Sequence, residues 1–332
     1  MTARIALDAM GGDDAPRVPV EAALEAVNTY RIPVSLVGNV SVIESIIGDR
    51  SYSDDLLELI DAPESVSMED EAVAAVRRKR RASIPVGLEL VKSGAASAFV
   101  SGGNTGAVVA SSTVSLGRLP GVSRPGIAVP LPTVQGKPVW LIDAGALVDP
   151  RPEHLWQHAR LASRFVRIVE DLELPRVGLI SNGEESSKGN ALTRETHALL
   201  ADDDEIEFVG NVESRAIPRR VCDVAITDGF TGNIILKTAE GIVNLIQDSL
   251  RSEFRRRLHT SILALLLRPA FRRAGRQLDY REYGGAPLLG VNGLVFIAHG
   301  SSDELAVLNA IREANRIADQ NLLRSLHQEL ES

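Results

Sequence analysis

Short apolar, β-prone runs alternate along the chain with longer stretches whose apolar positions recur at helical spacing. Ile5-Ala6-Leu7-Asp8 reads as a buried strand, and the helix expected over 18–30 places Val20, Ala23, Leu24 and Val27 on one face. Further strands are expected over 33–37, 98–100, 126–130, 138–142, 176–180, 206–209, 221–227 and 295–298. Helices are expected over 42–47, 54–60, 70–82 with a continuation over 84–92, 107–116, 153–171 after Pro152, 191–200, 234–258 and 303–330. Strands alternating with helices of ten or more residues imply parallel βαβ units. The expected fold is therefore α/β: a doubly wound, mostly parallel sheet with helices on both faces, in one domain over 1–332.

Composition narrows the classes. The 332 residues are 44% hydrophobic and 24% charged, which suits one large α/β domain or two lobes sharing a sheet. A formal net charge of −8 argues against a nucleic-acid binder, although arginine is locally dense. Cys222 is the lone cysteine, so no internal disulfide forms and a reducing cytoplasm fits. Met1-Thr2-Ala3-Arg4 leads at once into the first strand, and no signal peptide is expected. The apolar run 262–267 is too short to cross a bilayer. The expectation is a cytoplasmic protein that at most rests on a membrane surface.

The candidate chemistry lies in loops. Ser101-Gly102-Gly103-Asn104-Thr105-Gly106-Ala107 joins a strand to a helix, a place where backbone N–H groups and the helix dipole favour phosphate or carboxylate. Loops of similar grammar follow Leu7, with Asp8, Gly11 and Gly12; Ile180, with Lys188 and Asn190; and Thr227, with Asp228, Gly232 and Asn233. Asn104, Asn190 and Asn233 each stand just before an expected helix, and Asp8, Asp143 and Asp228 each end a strand. In a doubly wound sheet such loops are expected along one edge, forming an anion site. None has the G-K-[ST] of a Walker loop or G-x-G-x-x-G spacing. His154 and His158, four apart, lack a third metal ligand, so no metal is expected. The Arg77-Arg78-Lys79-Arg80-Arg81 run reads as a solvated helix face, with an acidic partner as the second reading. His299 is either a general base or part of a strand exit before a helix capped by Ser302 or Asp303.

Several stretches, in order, resemble the bacterial phosphate acyltransferase family (acyl-ACP:phosphate acyltransferase, PlsX). They are I-A-L-D-A-M-G-G-D, S-G-G-N-T-G-A, P-E-H-L, E-E-S-S-K-G-N, D-G-F-T-G-N with L-K-T-A-E-G, Y-G-G-A-P-L-L-G and A-H-G-S-S-D. They cover the chain from near Ile5 to the final helix. Asp14 stands where the family has His or Asn, and Leu147 where it has Asn, so no role is carried to those two side chains.

The resemblance implies transfer of a long-chain acyl group from acyl carrier protein to inorganic phosphate, giving acyl phosphate for phospholipid synthesis. It also implies a homodimer of the phosphotransacetylase and isopropylmalate dehydrogenase fold, with a helical hairpin over about 234–280. No cofactor is implied. Phosphate is itself the nucleophile and a thiol leaves readily, so the work left is to hold a dianion and stabilise an oxyanion. On the resemblance Lys188 meets the phosphate charge, Asn233 and Asn104 donate to phosphate or oxyanion, and Asp228 orients them. Gly102, Gly103, Thr105, Gly106, Gly232, Asp8, Gly11, Gly12 and His299 line the phosphate and thioester site. Ile262, Leu263, Leu265, Leu266 and Leu267, flanked by arginines, are expected either to meet an anionic membrane surface or to pack in the dimer. A membrane glycerol-3-phosphate acyltransferase is the expected consumer of the product. The alternatives are an acyl-CoA-dependent enzyme, an NAD-dependent decarboxylating dehydrogenase of the same fold, and a non-catalytic scaffold.

Overall fold

A computed structural model describes residues 3–67, 69–255, 275, 284–320, 322–323 and 325–326. Strands β1 (Ile5–Asp8), β2 (Val34–Gly38), β3 (Leu57–Asp61), β4 (Ala98–Ser101), β5 (Gly126–Leu131), β6 (Val139–Ile142), β7 (Arg176–Ile180), β8 (Glu207–Val212), β9 (Val224–Ile226), β10 (Ala286–Leu289) and β11 (Leu294–Ile297) form one sheet. Its order is β3-β2-β1-β4-β11-β10-β5-β6-β9-β7-β8.

The helices are α1 (Arg17–Asn28), α2 (Val40–Ile47), α3 (Ala72–Arg78), α4 (Ser83–Lys92), α5 (Thr105–Ser115), α6 (Pro152–Val169), α7 (Ala191–Ala201), α8 (Gly229–Arg255) and α9 (Glu304–Asp319). Side chains of one strand divide between two cores. Ile5 and Leu7 join the cluster beneath α1, α6 and α9, whereas Ala6 joins the cluster beneath α4 and α5. That period of two, with both faces covered, explains why the strands read as continuous apolar runs.

The polarity of the sheet reverses in its middle. Strands β3, β2, β1, β4 and β11 are mutually parallel. Antiparallel pairings of β10 with β11 and β5, and of β5 with β6, turn the direction over. Strands β6, β9, β7 and β8 then run parallel to one another the opposite way. The loops therefore do not share one edge, as a uniformly parallel sheet would require. Those after β1, β4 and β11 form one group, and those after β6, β9 and β7 form another.

Three local expectations change. The 54–60 segment contains an edge strand, because β2 supplies its backbone partners from Val34 to Gly38. The long helix expected from 70 is two helices, broken after Arg78. Pro85 lies in the first turn of α4, where it is tolerated, but would clash inside a continuous helix. Lys79 turns back to Asp70 at 2.6 Å and to the Ser65 carbonyl at 3.0 Å, closing the break. Strand β10, whose four residues give little periodicity, was not anticipated. The membrane-contact candidates Ile262, Leu263, Leu265, Leu266 and Leu267, and the hairpin beyond Arg255, lie outside the described residues.

His158 is buried on α6, its ring facing Gly126, with Nε2–H donating to the Arg124 carbonyl at 3.0 Å. Burial holds this imidazole below its usual range, and the Asp143 carboxylate offsets only part of that. The unfolded chain therefore binds a proton, near the ordinary histidine pKa of about 6.5, that the folded chain refuses. Stability contributed by neutral His158 is full above that pH and is lost as pH falls below it. Denaturant titrations should show His158→Gln with a shallower loss between pH 7 and pH 5 than the parent; equal slopes would refute this.

Candidate active site

The first loop group is tied together from below. Asp8, at the end of β1, is buried, accepts from Ser101 Oγ at 2.7 Å and from Met10 N at 3.0 Å, and so fastens β1 to β4. Burial pushes its carboxyl up, against hydrogen bonds from Ser83, Ser101 and the backbone of Met10 and Gly11. Ser101 Oγ in turn accepts from Gly103 N at 3.1 Å. Gly11 passes so close that a Cβ would lie 2.5 Å from Asp8 Oδ2 and 2.6 Å from Gly103 N. Asp13 N donates to the Gly300 carbonyl at 2.8 Å, which brings in the loop after β11. Asp8 thus supports Gly11, Gly12, Gly102 and Gly103 from beneath.

Asn104 caps α5. Its Oδ1 accepts from Ala107 N at 3.0 Å, and its Nδ2 donates to the carbonyls of Ser67 at 3.4 Å and Asp70 at 3.3 Å. The amide is engaged at both ends. Thr105 and Gly106, the first two residues of α5, are left to present their N–H groups.

The second group is organised by Asp143, whose buried carboxylate accepts from the backbone N–H of Ile127, Gly145, Ala146 and Leu147 at 2.6–3.0 Å. Leu147 contributes main chain here: its N–H to Asp143, and its carbonyl to Gly229 N at 2.9 Å. Helix α8 begins at Gly229, five residues before the expected start, and Asp228 is its cap, accepting from Thr231 N at 2.8 Å. Asn233 is therefore inside the helix and is not a cap.

Early winding is possible because Gly232 has no side chain; a Cβ there would overlap the Asp143 carbonyl oxygen. Gly232→Ala should push the first turn of α8 off the β6 loop, costing about 1–3 kcal/mol by overpacking and most of the activity. Parental thermal stability and activity in that variant would refute this tight seat.

Helix α8 joins the two groups. Asn233 lies against the β6 loop, where a Cβ on Gly145 would sit 3.9 Å from its Oδ1. One turn on and on the same face, Lys237 donates from Nζ to His299 Nε2. The other ring nitrogen, Nδ1, faces Ser301, with the Ser301 backbone N at 3.2 Å and Oγ at 2.8 Å. Lys237 also pairs with Glu240 at 3.0 Å. The eight residue steps from Gly229 to Lys237 cover about 12 Å of helix, enough to carry a cation from the end of β9 to the end of β11. Lys237 was missed as a site residue because its role depends on α8 starting before Asn233. The legible signal was its spacing of four from Asn233 within the same run of motifs.

Lys188 is exposed on the loop after β7, which neighbours β9 in the sheet. The loop is held by Asn182, accepting from Gly189 N at 2.9 Å, and by Asn211 Nδ2, donating to the Glu185 carbonyl at 2.8 Å. The structure brings together Asn233, Lys237 and His299, and does not bring Lys188 into contact with them. Asn190 caps α7 through Thr193 N at 2.9 Å, and Asp303 caps α9 through Ala306 N at 3.0 Å. Among the described residues there is no group of three or more His, Cys, Asp or Glu that could hold a metal, and no helix long and apolar enough to cross a membrane.

Residues 3–325 match the family model described as fatty acid synthesis protein. A phosphate acyltransferase from Shouchella clausii is 41% identical over 330 residues, covering 99% of both chains. Among solved structures, a phosphotransacetylase from Streptococcus pyogenes superposes with a TM-score of 0.63 at 16% identity, over 96% of this chain and 94% of that one. A 4-hydroxythreonine-4-phosphate dehydrogenase from Klebsiella pneumoniae gives 0.56 at 14% identity, over 95% and 99%. At such identities these two likenesses concern the fold alone.

Proposed function

This chain belongs to the phosphate acyltransferase family, and on that premise we propose that it carries a long-chain acyl group from acyl carrier protein to inorganic phosphate. A phosphate oxygen attacks the thioester carbonyl, the tetrahedral oxyanion collapses, and the thiolate leaves and takes up a proton. The products are acyl phosphate and free carrier thiol. A leaving thiol with a pKa of about 8.5 needs no strong acid, so the protein's part is placement and charge.

The observation that carries this reading is the junction on α8, where Asn233 and Lys237 face the meeting of the two loop groups. Lys237 supplies a cation, His299 orients it, and Asn233 donates to phosphate or oxyanion. Lys188 brings a second cation from the β7 loop. The open N–H groups of Thr105 and Gly106 suit an anionic oxygen. Release of free thiol from acyl carrier protein, measured with and without phosphate and against acyl-CoA, tests it. Phosphate-independent release, or a preference for acyl-CoA, overturns it.

The active form is a homodimer in this reading. Supporting it, α8 beyond the site exposes Ile242, Leu245, Ile246 and Leu250, at 43–66% of their surface, as an apolar stripe at helical spacing. The apolar run at 262–267 between arginines rests on an anionic membrane, where a glycerol-3-phosphate acyltransferase takes the product. Leu265→Glu with Leu266→Glu should abolish binding to anionic vesicles and leave a soluble, active dimer. Monomers or aggregates would instead make the run interface core.

A further inference from the structure

We propose that the arginine cluster at the end of α3 docks an acidic surface of the protein that delivers the acyl thioester; this rests on the carrier-protein reading above. Five consecutive cations, Arg77 to Arg81, stand in a chain whose net charge is −8. Two of them are engaged within the fold. Lys79 pairs with Asp70 at 2.6 Å, and Arg81 approaches Asp61 at 3.5 Å while its backbone N–H donates to Glu64. Arg77, Arg78 and Arg80 are exposed, and no carboxylate among the described residues forms an ion pair with them. The dipole at the end of α3 favours Arg77 and Arg78, but Arg80 lies past the helix and gains nothing from it. Like charges held this close repel, so the fold alone offers no reason for the cluster.

The cluster stands beside the proposed site. The segment leading into α3 receives both donor bonds of Asn104, through the Ser67 and Asp70 carbonyls. Ala72, the first residue of α3, is 3.1 Å from a Cβ placed on Gly106. Arg77 and Arg78 then lie about 9 Å further along the helix, within reach of a partner whose flexible arm enters at the α5 N-terminus. The face suits a protein better than a membrane. Among the described residues, no large hydrophobic side chain between Val42 and Val114 is exposed, so lipid insertion has no apolar anchor there. Guanidinium groups suit the planar carboxylates of an acidic helix, and such a patch acts mainly on encounter rate and its salt dependence.

The test is the triple variant Arg77→Gln, Arg78→Gln, Arg80→Gln, which leaves Lys79 and Arg81 in their contacts. Two donors are compared: acyl carrier protein loaded with a long-chain acyl group, and the same acyl group on pantetheine, which has neither protein nor phosphate charge. The expected result is a tenfold or greater fall in kcat/KM for the carrier-bound donor at low salt, with a flatter dependence on ionic strength. The kcat, the phosphate KM and turnover of acyl-pantetheine stay at parental values. Equal losses with both donors, or unchanged carrier kinetics, overturn the docking assignment alone. Loss of anionic-vesicle binding with unchanged carrier kinetics gives the patch to a membrane and also overturns it. A parent enzyme that neither turns over nor binds the carrier protein overturns the donor assignment as well.

Discussion

Asn233→Asp should abolish phosphate-dependent acyl transfer and leave the fold intact. The exchange keeps the shape of the side chain and adds one negative charge on the face of α8 that meets the β6 loop and, a turn later, His299. Two unit charges 4 Å apart repel by about 4 kcal/mol at an effective dielectric near 20, and a phosphate dianion roughly doubles that. A loss of at least three orders of magnitude in kcat/KM should follow. Stability should be unchanged, because Asp228 is the cap of α8 and Asn233 has no capping bond to lose. Turnover and thermal unfolding measured together decide the matter. Activity above a tenth of the parent's would remove Asn233 from the phosphate.

Lys188→Ala should raise the KM for phosphate and lower kcat/KM by two orders of magnitude or more, on the order of 3 kcal/mol. Its loop is held by Asn182 and Asn211 through backbone groups, so the fold does not depend on the lysine. Its ammonium is exposed and makes no ion pair among the described residues, which leaves it free to meet a dianion at the edge where β7 and β9 end. Near-normal phosphate kinetics in this variant would assign the phosphate charge to Lys237 alone.

Much of this is legible in the sequence. Runs such as Ile5-Ala6-Leu7-Asp8 announced strands buried on both faces, because a parallel sheet covered by helices leaves no polar face to alternate with. Asp303 was one of the two caps named for the last helix, since a cap bonds a backbone N–H three residues on and is encoded locally; Asn104 and Asn190 stood just before their expected helices and cap them in the same way. The break between α3 and α4 was not read from the sequence, although Pro85, which is tolerated only in a first turn, marks it.

Tertiary structure decided the rest, through partners far away in the chain. Leu57–Asp61 is a strand because β2 is beside it, and β10 is a strand because β5 and β11 flank it. The reversal of sheet polarity follows from those pairings and separates loops that sequence reasoning put on one edge. Helix α8 starts at Gly229 because Gly232 can lie against a carbonyl almost ninety residues earlier, and that start puts Asn233 and Lys237 on one face. Local grammar sets strands, turns and caps, whose hydrogen bonds close within a few residues. Which loops meet, and which lysine reaches His299, depends on contacts spanning 62 residues and more, which no local pattern records.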